Sequence, residues 1–193
     1  MVEAGGILNK EQQGRKRKSV IWTRISLVVI FLIFALTWLS TCDFSWKRYY
    51  DKEYRFSLLL PRSWAIKTGA YGTAMLAIEP RNSPQDNYSE NVNVGVINLP
   101  KPTTLAAFFI MNRDALLSKI ISPDFSEGDI LAGLRPGKWL SFETYAKKVK
   151  IKVVSTIFMH GSQAYIITCS SAAEKYPEYE PVFMKIVKSF RIR

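Results

Sequence analysis

The longest uninterrupted run of apolar residues lies near the N-terminus of the chain. Residues 25–42 comprise 18 positions and contain no charged side chain. A helix rises about 1.5 Å per residue, so this run would reach about 27 Å, close to the hydrocarbon thickness of a bilayer. The pattern therefore predicts a transmembrane helix with little length to spare.

The charges beside this run predict its orientation. Residues 1–24 contain six basic and two acidic side chains, whereas Asp43 follows the run directly. Basic residues are retained on the cytoplasmic side of a span. We therefore expect a basic cytoplasmic tail at 1–24, with the C-terminal part in the periplasm, the extracellular space or a thylakoid lumen. Trp38 and Trp46 suit the headgroup level.

Three alternatives to an uncleaved anchor remain open. A cleaved signal peptide has a shorter apolar core and ends in a small-x-small site, which residues 39–41 supply poorly. In a lipoprotein signal, Cys42 would be a lipidation site, since residues 39–42 resemble a lipobox in which Thr41 replaces the usual small residue. A buried globular helix fits least, because the run is apolar on every face and follows a basic segment.

Beyond this run the apolar pattern becomes that of short strands. Residues 43–53 are expected to be a juxtamembrane linker, and 54–193 a single domain of ordinary size. In 54–60 every second residue is aromatic or leucine, which predicts a half-buried strand ended by Pro61. The polar stretch 81–90 is typical of a surface loop. Further strands are predicted at 75–78, 91–99, 130–134, 139–146, 148–159 and 163–170.

Two segments show the three-and-four spacing of amphipathic helices. The first begins after Thr103 or Thr104 and reaches about residue 121, with Phe108 and Phe109 on its apolar stripe. The second occupies the C-terminus, where acidic residues come early and Lys185 and Lys188 come late, as the helix dipole favours. Both helices are expected to pack on the sheet. The apolar positions of the second are Tyr179, Val182, Phe183, Ile186, Val187 and Phe190.

Charge adds a candidate binding surface. The net charge is +11, of which +7 belongs to residues 43–193. A basic exported domain attracts anionic lipid headgroups or acidic proteins. The densest cluster is expected to bind a partner or lipid, and its last three members share one face of a strand. It consists of Lys147, Lys148, Lys150 and Lys152.

This lysine cluster has two plainer interpretations. It is also typical of a solvated sheet face, or of an edge strand that lysines protect against pairing with other chains. The separate basic run at 14–18 is typical of nucleic-acid binding when isolated, but beside a membrane span its simpler role is topological. We therefore expect no nucleic-acid partner.

The chemistry-bearing residues do not form the pattern of an enzyme or a metal site. His160, the single histidine, falls in a predicted hairpin turn at 160–162, and Cys169 lies on an apparent strand where a packed thiol is expected. Nothing pairs Glu143 with Glu174. The acidic positions 124, 127 and 129 lack the spacing of an EF-hand. No catalysis, cofactor or metal is expected, and no disulfide, since Cys42 is the only other cysteine.

The order of five segments carries a resemblance to a known family. These segments are YRFSLLLPRSW at 54–64, NVNV at 91–94, the helix start at 104–105, GSQAY at 161–165 and the C-terminal helix at 183–190. Together they resemble the PsbP-like family, which groups the extrinsic PsbP subunit of photosystem II, a Ran-binding Mog-type protein and many bacterial lipoproteins. The resemblance covers about 140 residues. It implies an α+β fold, a central antiparallel β-sheet flanked by helices in an α/β/α sandwich.

The resemblance implies function only loosely, because one fold hosts several roles. With the anchor, it predicts a membrane-anchored, extracytoplasmic, non-enzymatic domain that binds or helps assemble a membrane protein complex, through a membrane-protein or acidic partner. One alternative is a carrier or sensor of a small apolar ligand or lipid, held between the Phe108/Phe109 helix and the sheet. Another is an extrinsic subunit of photosystem II itself.

Overall fold

The computed structural model describes residues 45–81, 83, 86–118 and 125–193. The predicted basic tail, the predicted span at 25–42 and Cys42 lie outside the described residues. No helix within the described residues is long and apolar enough to cross a membrane.

Seven antiparallel strands form the main sheet, in the order β3-β4-β5-β9-β8-β7-β6. The predicted alternation at 91–99 and the predicted hairpin at 160–162 are confirmed: Val92 and Val94 are buried, and Gly161 turns with a φ of 57°. Residues 81, 83 and 86–90 form no helix or strand, as expected of a loop. The strands are β3 (Ala65–Thr68), β4 (Met75–Ile78), β5 (Asn91–Asn98), β6 (Phe125–Ala132), β7 (Arg135–Ala146), β8 (Val149–His160) and β9 (Gln163–Ala172).

A second, three-stranded sheet corrects two sequence expectations. It has the order β1-β2-β10, with β1 at Trp46–Asp51, β2 at Phe56–Pro61 and β10 at Arg191–Ile192. The strand predicted at 54–60 therefore belongs to this small sheet and not to the central one. Residues 46–51, expected to be a linker, form its edge strand, because Tyr49 packs against the core.

The two helices lie on opposite faces of the main sheet. Helix α1 (Leu105–Leu117) starts at Thr104, whose hydroxyl accepts a hydrogen bond from the amide of Ala107 at 3.2 Å, as the capping pattern predicts. Its buried residues Phe108 and Phe109 pack on β7 and β8. Helix α2 (Tyr176–Lys188) covers the other face together with the small sheet, and its predicted apolar stripe is buried.

One fully buried ring, that of Phe190, connects the layers of the larger core. It stacks on Phe158 of the main sheet at 5.2 Å between centroids, and lies 5.6 Å from Tyr165. Its other side contacts Phe56 of the small sheet at 5.7 Å. The C-terminal end of α2 is thereby fixed between the two sheets.

A glycine in β7 tests how tightly neighbouring strands of the main sheet pack. A methyl group at Gly137 would meet the ring of Phe158 and lie 2.9 Å from the carbonyl oxygen of Ile157. Gly137→Ala is therefore expected to lower the free energy of unfolding by about 1–3 kcal/mol in urea denaturation. The matched variant is Gly95→Ala in β5, where nothing lies within 4 Å, and an equal loss in both would contradict this packing.

Candidate functional site

The predicted lysine cluster lies at the turn between β7 and β8. Lys147 occupies this turn with a φ of 57°, a conformation that costs a side chain energy. Lys147 and Lys148 are exposed and form no ion pair within the part of the chain that the structure describes. Lys150, which points away from the turn along β8, binds Glu143 at 2.7 Å and lowers the pKa of its carboxyl group.

One of the plainer interpretations of this cluster is wrong. Strand β8 is not an edge strand, since it pairs with β7 on one side and β9 on the other. Lysines at an edge would protect unpaired backbone groups, but β9 covers β8 from Ile151 onward, so that Lys152 lies on a strand paired on both sides. The solvated-face interpretation and the binding interpretation both remain.

Three of the four lysines line two separate concave regions. Lys148 and Lys150 line an open cleft of about 640 Å³, together with Glu174 and Lys175. Lys152 instead lines a groove of about 320 Å³ between α2 and the sheet. The cluster is therefore not one continuous cationic surface.

Beside the open cleft lies a cluster of buried charge that the sequence pattern did not indicate. The side chain of Glu90 is 1% exposed, and its carboxylate accepts a hydrogen bond from the amide of Ala172 at 3.3 Å. Lys175 binds Asp86 at 3.1 Å and lies 3.9 Å from Glu90. One cation thus serves two acids that come from the loop predicted at 81–90.

A third carboxyl group joins this cluster. Glu79 accepts a short hydrogen bond from the hydroxyl of Tyr179. Burial raises the pKa of Glu79, whereas the hydrogen bond from Lys175 lowers the pKa of Asp86. Loss of water also raises the pKa of Tyr179, which keeps its hydroxyl protonated as the donor. The acids follow no period, so only the fold brings them together.

The sequence predicts an apolar-ligand site between the Phe108/Phe109 helix and the sheet. The space between Phe108, Phe109 and the sheet is filled by side chains, including Leu140, Phe142 and Val153. The groove lined by Lys152 lies on the opposite face of the sheet, under α2. Its walls combine Trp139, Val154, Thr156, Phe183, Met184 and Val187.

The residues considered for catalysis lie on different elements of the fold. His160 ends β8 on the surface, at the opposite end of that strand from the lysine turn. Cys169 is fully buried, and burial raises the pKa of its thiol, as expected of a packed side chain. Glu143 pairs with Lys150, while Glu174 lies on the exposed segment before α2.

The acidic positions of the rejected calcium site are used in ion pairs. Glu127 accepts from Arg113 at 3.3 Å, and Asp129 from Lys138 at 2.6 Å. Among the described residues, no group of three or more potential ligands is arranged to hold a metal ion. Position 124 lies outside the described residues.

Comparison with solved structures identifies the fold. The chain is similar to the solution structure of cyanobacterial PsbP from Synechocystis, with a TM-score of 0.56 and 15% identity over 80% of this chain and 96% of that one. It is also similar to LpqN, a protein involved in cell envelope biogenesis of Mycobacterium tuberculosis, with a TM-score of 0.54 and 9% identity over 79% and 87% of the two chains. The chain therefore has the PsbP-like fold expected from the sequence.

A third similar structure is larger than this chain. It comes from Bacteroides thetaiotaomicron, with a TM-score of 0.54 and 13% identity, and the match covers 76% of this chain but only 48% of that one. No protein-family model matches the chain, and no curated protein sequence matches it. At these identities the likeness concerns the fold.

The buried charge cluster predicts a specific loss of stability. Lys175→Met removes the cation near Asp86 and Glu90, and is expected to lower the free energy of unfolding by about 2 kcal/mol at neutral pH, discounted because Lys175 is partly exposed. The exposed pair Lys138–Asp129 gives the matched variant Lys138→Met, which should cost less than about 1 kcal/mol.

The sign of the pH dependence follows from the pKa of Asp86. Its folded-state pKa is lowered, so its stabilising contribution is present above its unfolded value and is lost as pH falls through the folded value. Wild type and Lys175→Met should therefore converge in unfolding free energy below about pH 4. Urea denaturation across pH measures this, and a gap that widens in acid would contradict the assignment.

Proposed function

We propose that this chain is a membrane-anchored, extracytoplasmic domain that binds a membrane protein complex and helps to assemble or stabilise it. Residues 25–42 anchor it, and the PsbP-like domain acts outside without catalysis. The anchor raises the effective concentration of the domain near a membrane partner, so that a weak interface suffices. The fold shared with cyanobacterial PsbP and with LpqN supports an extrinsic or envelope-associated role.

The observation that carries this proposal is the Lys147–Lys148 turn. Both side chains project from the end of a long hairpin, and Lys147 holds a positive φ that a glycine would adopt at lower cost. Residues in sparsely populated backbone conformations cluster at functional sites, and this one is also exposed and charged. The neighbouring cleft has mixed charge, since Glu174 and the ion-paired Lys175 line it together with Lys148. It provides a concave surface beside the turn, in which an acidic segment of the partner would contact Lys148.

Variants of this turn test the proposal without damaging the fold. Lys147→Gly/Lys148→Glu removes the local cations, and Lys147→Gly relieves the backbone strain, so stability should be maintained. We expect recovery of the cross-linked partner from native membranes at low salt to fall about tenfold, since charge complementarity governs such encounters. The measurement is mass spectrometry of proteins retained by the C-terminally tagged full chain.

Two exposed lysines elsewhere give the matched control. Lys67→Gly/Lys101→Glu makes the same change of charge away from the turn and should leave partner recovery unchanged. Equal recovery of the partner by wild type and by the turn variant would overturn the assignment of this interface.

The groove under α2 favours a second candidate function, the carrier of a small amphipathic ligand. Its volume is at the lower end of ligand sites, and Lys152 at its wall suits an anionic group. Val154→Trp would fill the groove. A carrier predicts a lipid, extracted in about equimolar amount from wild type but not from this variant, by mass spectrometry of solvent extracts. Equal lipid content in both would exclude the groove as its site.

A further inference from the structure

The net positive charge of the domain is concentrated in two short segments. Residues 45–67 and 185–193 contain ten basic and two acidic side chains, whereas residues 68–184 contain eleven of each. The fold brings these segments together, since the first supplies β1 and β2 and the second supplies β10 and the end of α2. The region around the small sheet therefore carries the entire excess of positive charge.

The pairing of the small sheet separates its two faces. In antiparallel strands, directly paired residues point to the same side. Leu58 and its partner Tyr49 point toward the core. Ser57 pairs with Tyr50 on one side and with Arg191 on the other, so these residues share the opposite, outward face. Arg48, which is two positions before Tyr50, points outward as well.

Basic side chains lie against aromatic rings of the small sheet. The ammonium group of Lys185 lies 4.2 Å from the ring centroid of Trp46, and the guanidinium of Arg193 lies 4.6 Å from that of Tyr50. We define the basic face as Trp46, Arg48, Tyr50, Lys185, Arg191 and Arg193. Among the residues that the structure describes, none of its four cations forms an ion pair with an acidic side chain.

An exposed apolar tip flanks the basic face. The guanidinium of Arg191 packs against Gly133, in the turn between β6 and β7. A methyl group added at Gly133 would lie 3.1 Å from the guanidinium carbon. The next residue, Leu134, is 98% exposed, and Leu131 is 61% exposed. These two leucines place apolar surface in water at one hairpin tip, and an acyl layer would bury it.

We propose that the basic face docks on an anionic lipid surface, with Leu134 entering the interfacial layer. Each basic side chain near such a surface contributes attraction, and Trp and Tyr rings prefer the headgroup level. The exposed leucines favour lipid over an acidic protein as the occupant. The inference rests on the membrane anchor of the proposed function, since the predicted span at 25–42 ends four positions before Trp46 in the sequence.

Lysine footprinting of the full chain tests this docking. The chain is incorporated into nanodiscs of phosphatidylcholine alone, or of phosphatidylcholine with an equal amount of phosphatidylglycerol, and exposed lysines are acetylated and quantified by mass spectrometry. Acetylation of Lys185 and Lys188 should fall about threefold or more in the anionic discs at low salt and recover at 1 M salt. Lys101, outside the basic segments, should react equally in both.

Two charge-matched variants separate the face from overall charge. Arg191→Glu/Arg193→Glu should abolish the protection of Lys185 and Lys188, whereas Arg81→Glu/Lys101→Glu, with Lys147 and Lys148 as the reference lysines, should retain it. Thermal unfolding monitors whether the first variant folds. If it does not fold, the proposal is decided by how the acetylation of Lys185 and Lys188 in the wild type depends on lipid and salt.

Three outcomes would overturn the docking proposal. Lys185 and Lys188 could be fully acetylated in both kinds of disc, they could be protected to the same extent in both, or Lys147 and Lys148 could be protected in place of Lys185. Failure of the proposed function is distinguished by other readouts. If the chain associates with anionic discs but not with neutral ones, the anchor of the proposed function fails while the docking proposal stands. If the partner is not recovered from native membranes, only the proposed role of the lysine turn fails.

Discussion

The contact of Phe190 with rings from both sheets is the interaction on which the rest of the structure depends. The main sheet supplies Phe158 and Tyr165, and the small sheet supplies Phe56. Burial of such a ring contributes roughly 3–5 kcal/mol, judged from truncations to alanine in protein cores. Because Phe190 comes two residues after the end of α2, the same contact fixes the end of that helix and places β10 beside β2.

This arrangement gives the domain two ends of different character. Strand β7 connects them: its 12 residues extend over about 40 Å, from the turn at Leu134 to the turn at Lys147. The first end carries the basic face beside the exposed leucines. The second carries the lysine turn, an open cleft of mixed charge and the buried cluster around Lys175. In the account proposed above, the first end meets lipid and the second meets a protein.

Local patterns predicted most of the fold, because strands and helices with one buried face repeat with the period of their geometry. The apolar stripe of α2 and the alternation around Val92 are of this kind, and the order of segments pointed to the PsbP-like fold. Strand β1 escaped prediction because its residues suit a membrane interface as well as a strand, so their composition does not distinguish the two. The assignment of β2 to a separate sheet depends on contacts with Phe190, which no local period reveals.

The candidate site was less predictable than the fold. The clustering of Lys147 to Lys152 was visible in the sequence, but their division between a cleft and a groove follows from strand pairing. The acids around Lys175 are separated by up to 96 positions from it and have no periodic signal. The basic face combines two chain segments that flank a neutral middle. The sequence shows the charge of each segment but not that the fold brings the two together on one surface. Long-range pairing, rather than composition, creates these sites.

Site-specific photo-crosslinking in native membranes tests the central claim most directly. A photoreactive residue is placed at Tyr50 in one full-length chain and at Lys148 in another, and the products are identified by mass spectrometry. The account predicts lipid adducts from position 50 and a protein adduct from position 148. Protein adducts from position 50, together with reaction with water alone at position 148, would contradict it. The first end would then contact protein in place of lipid, and the second end would contact no protein.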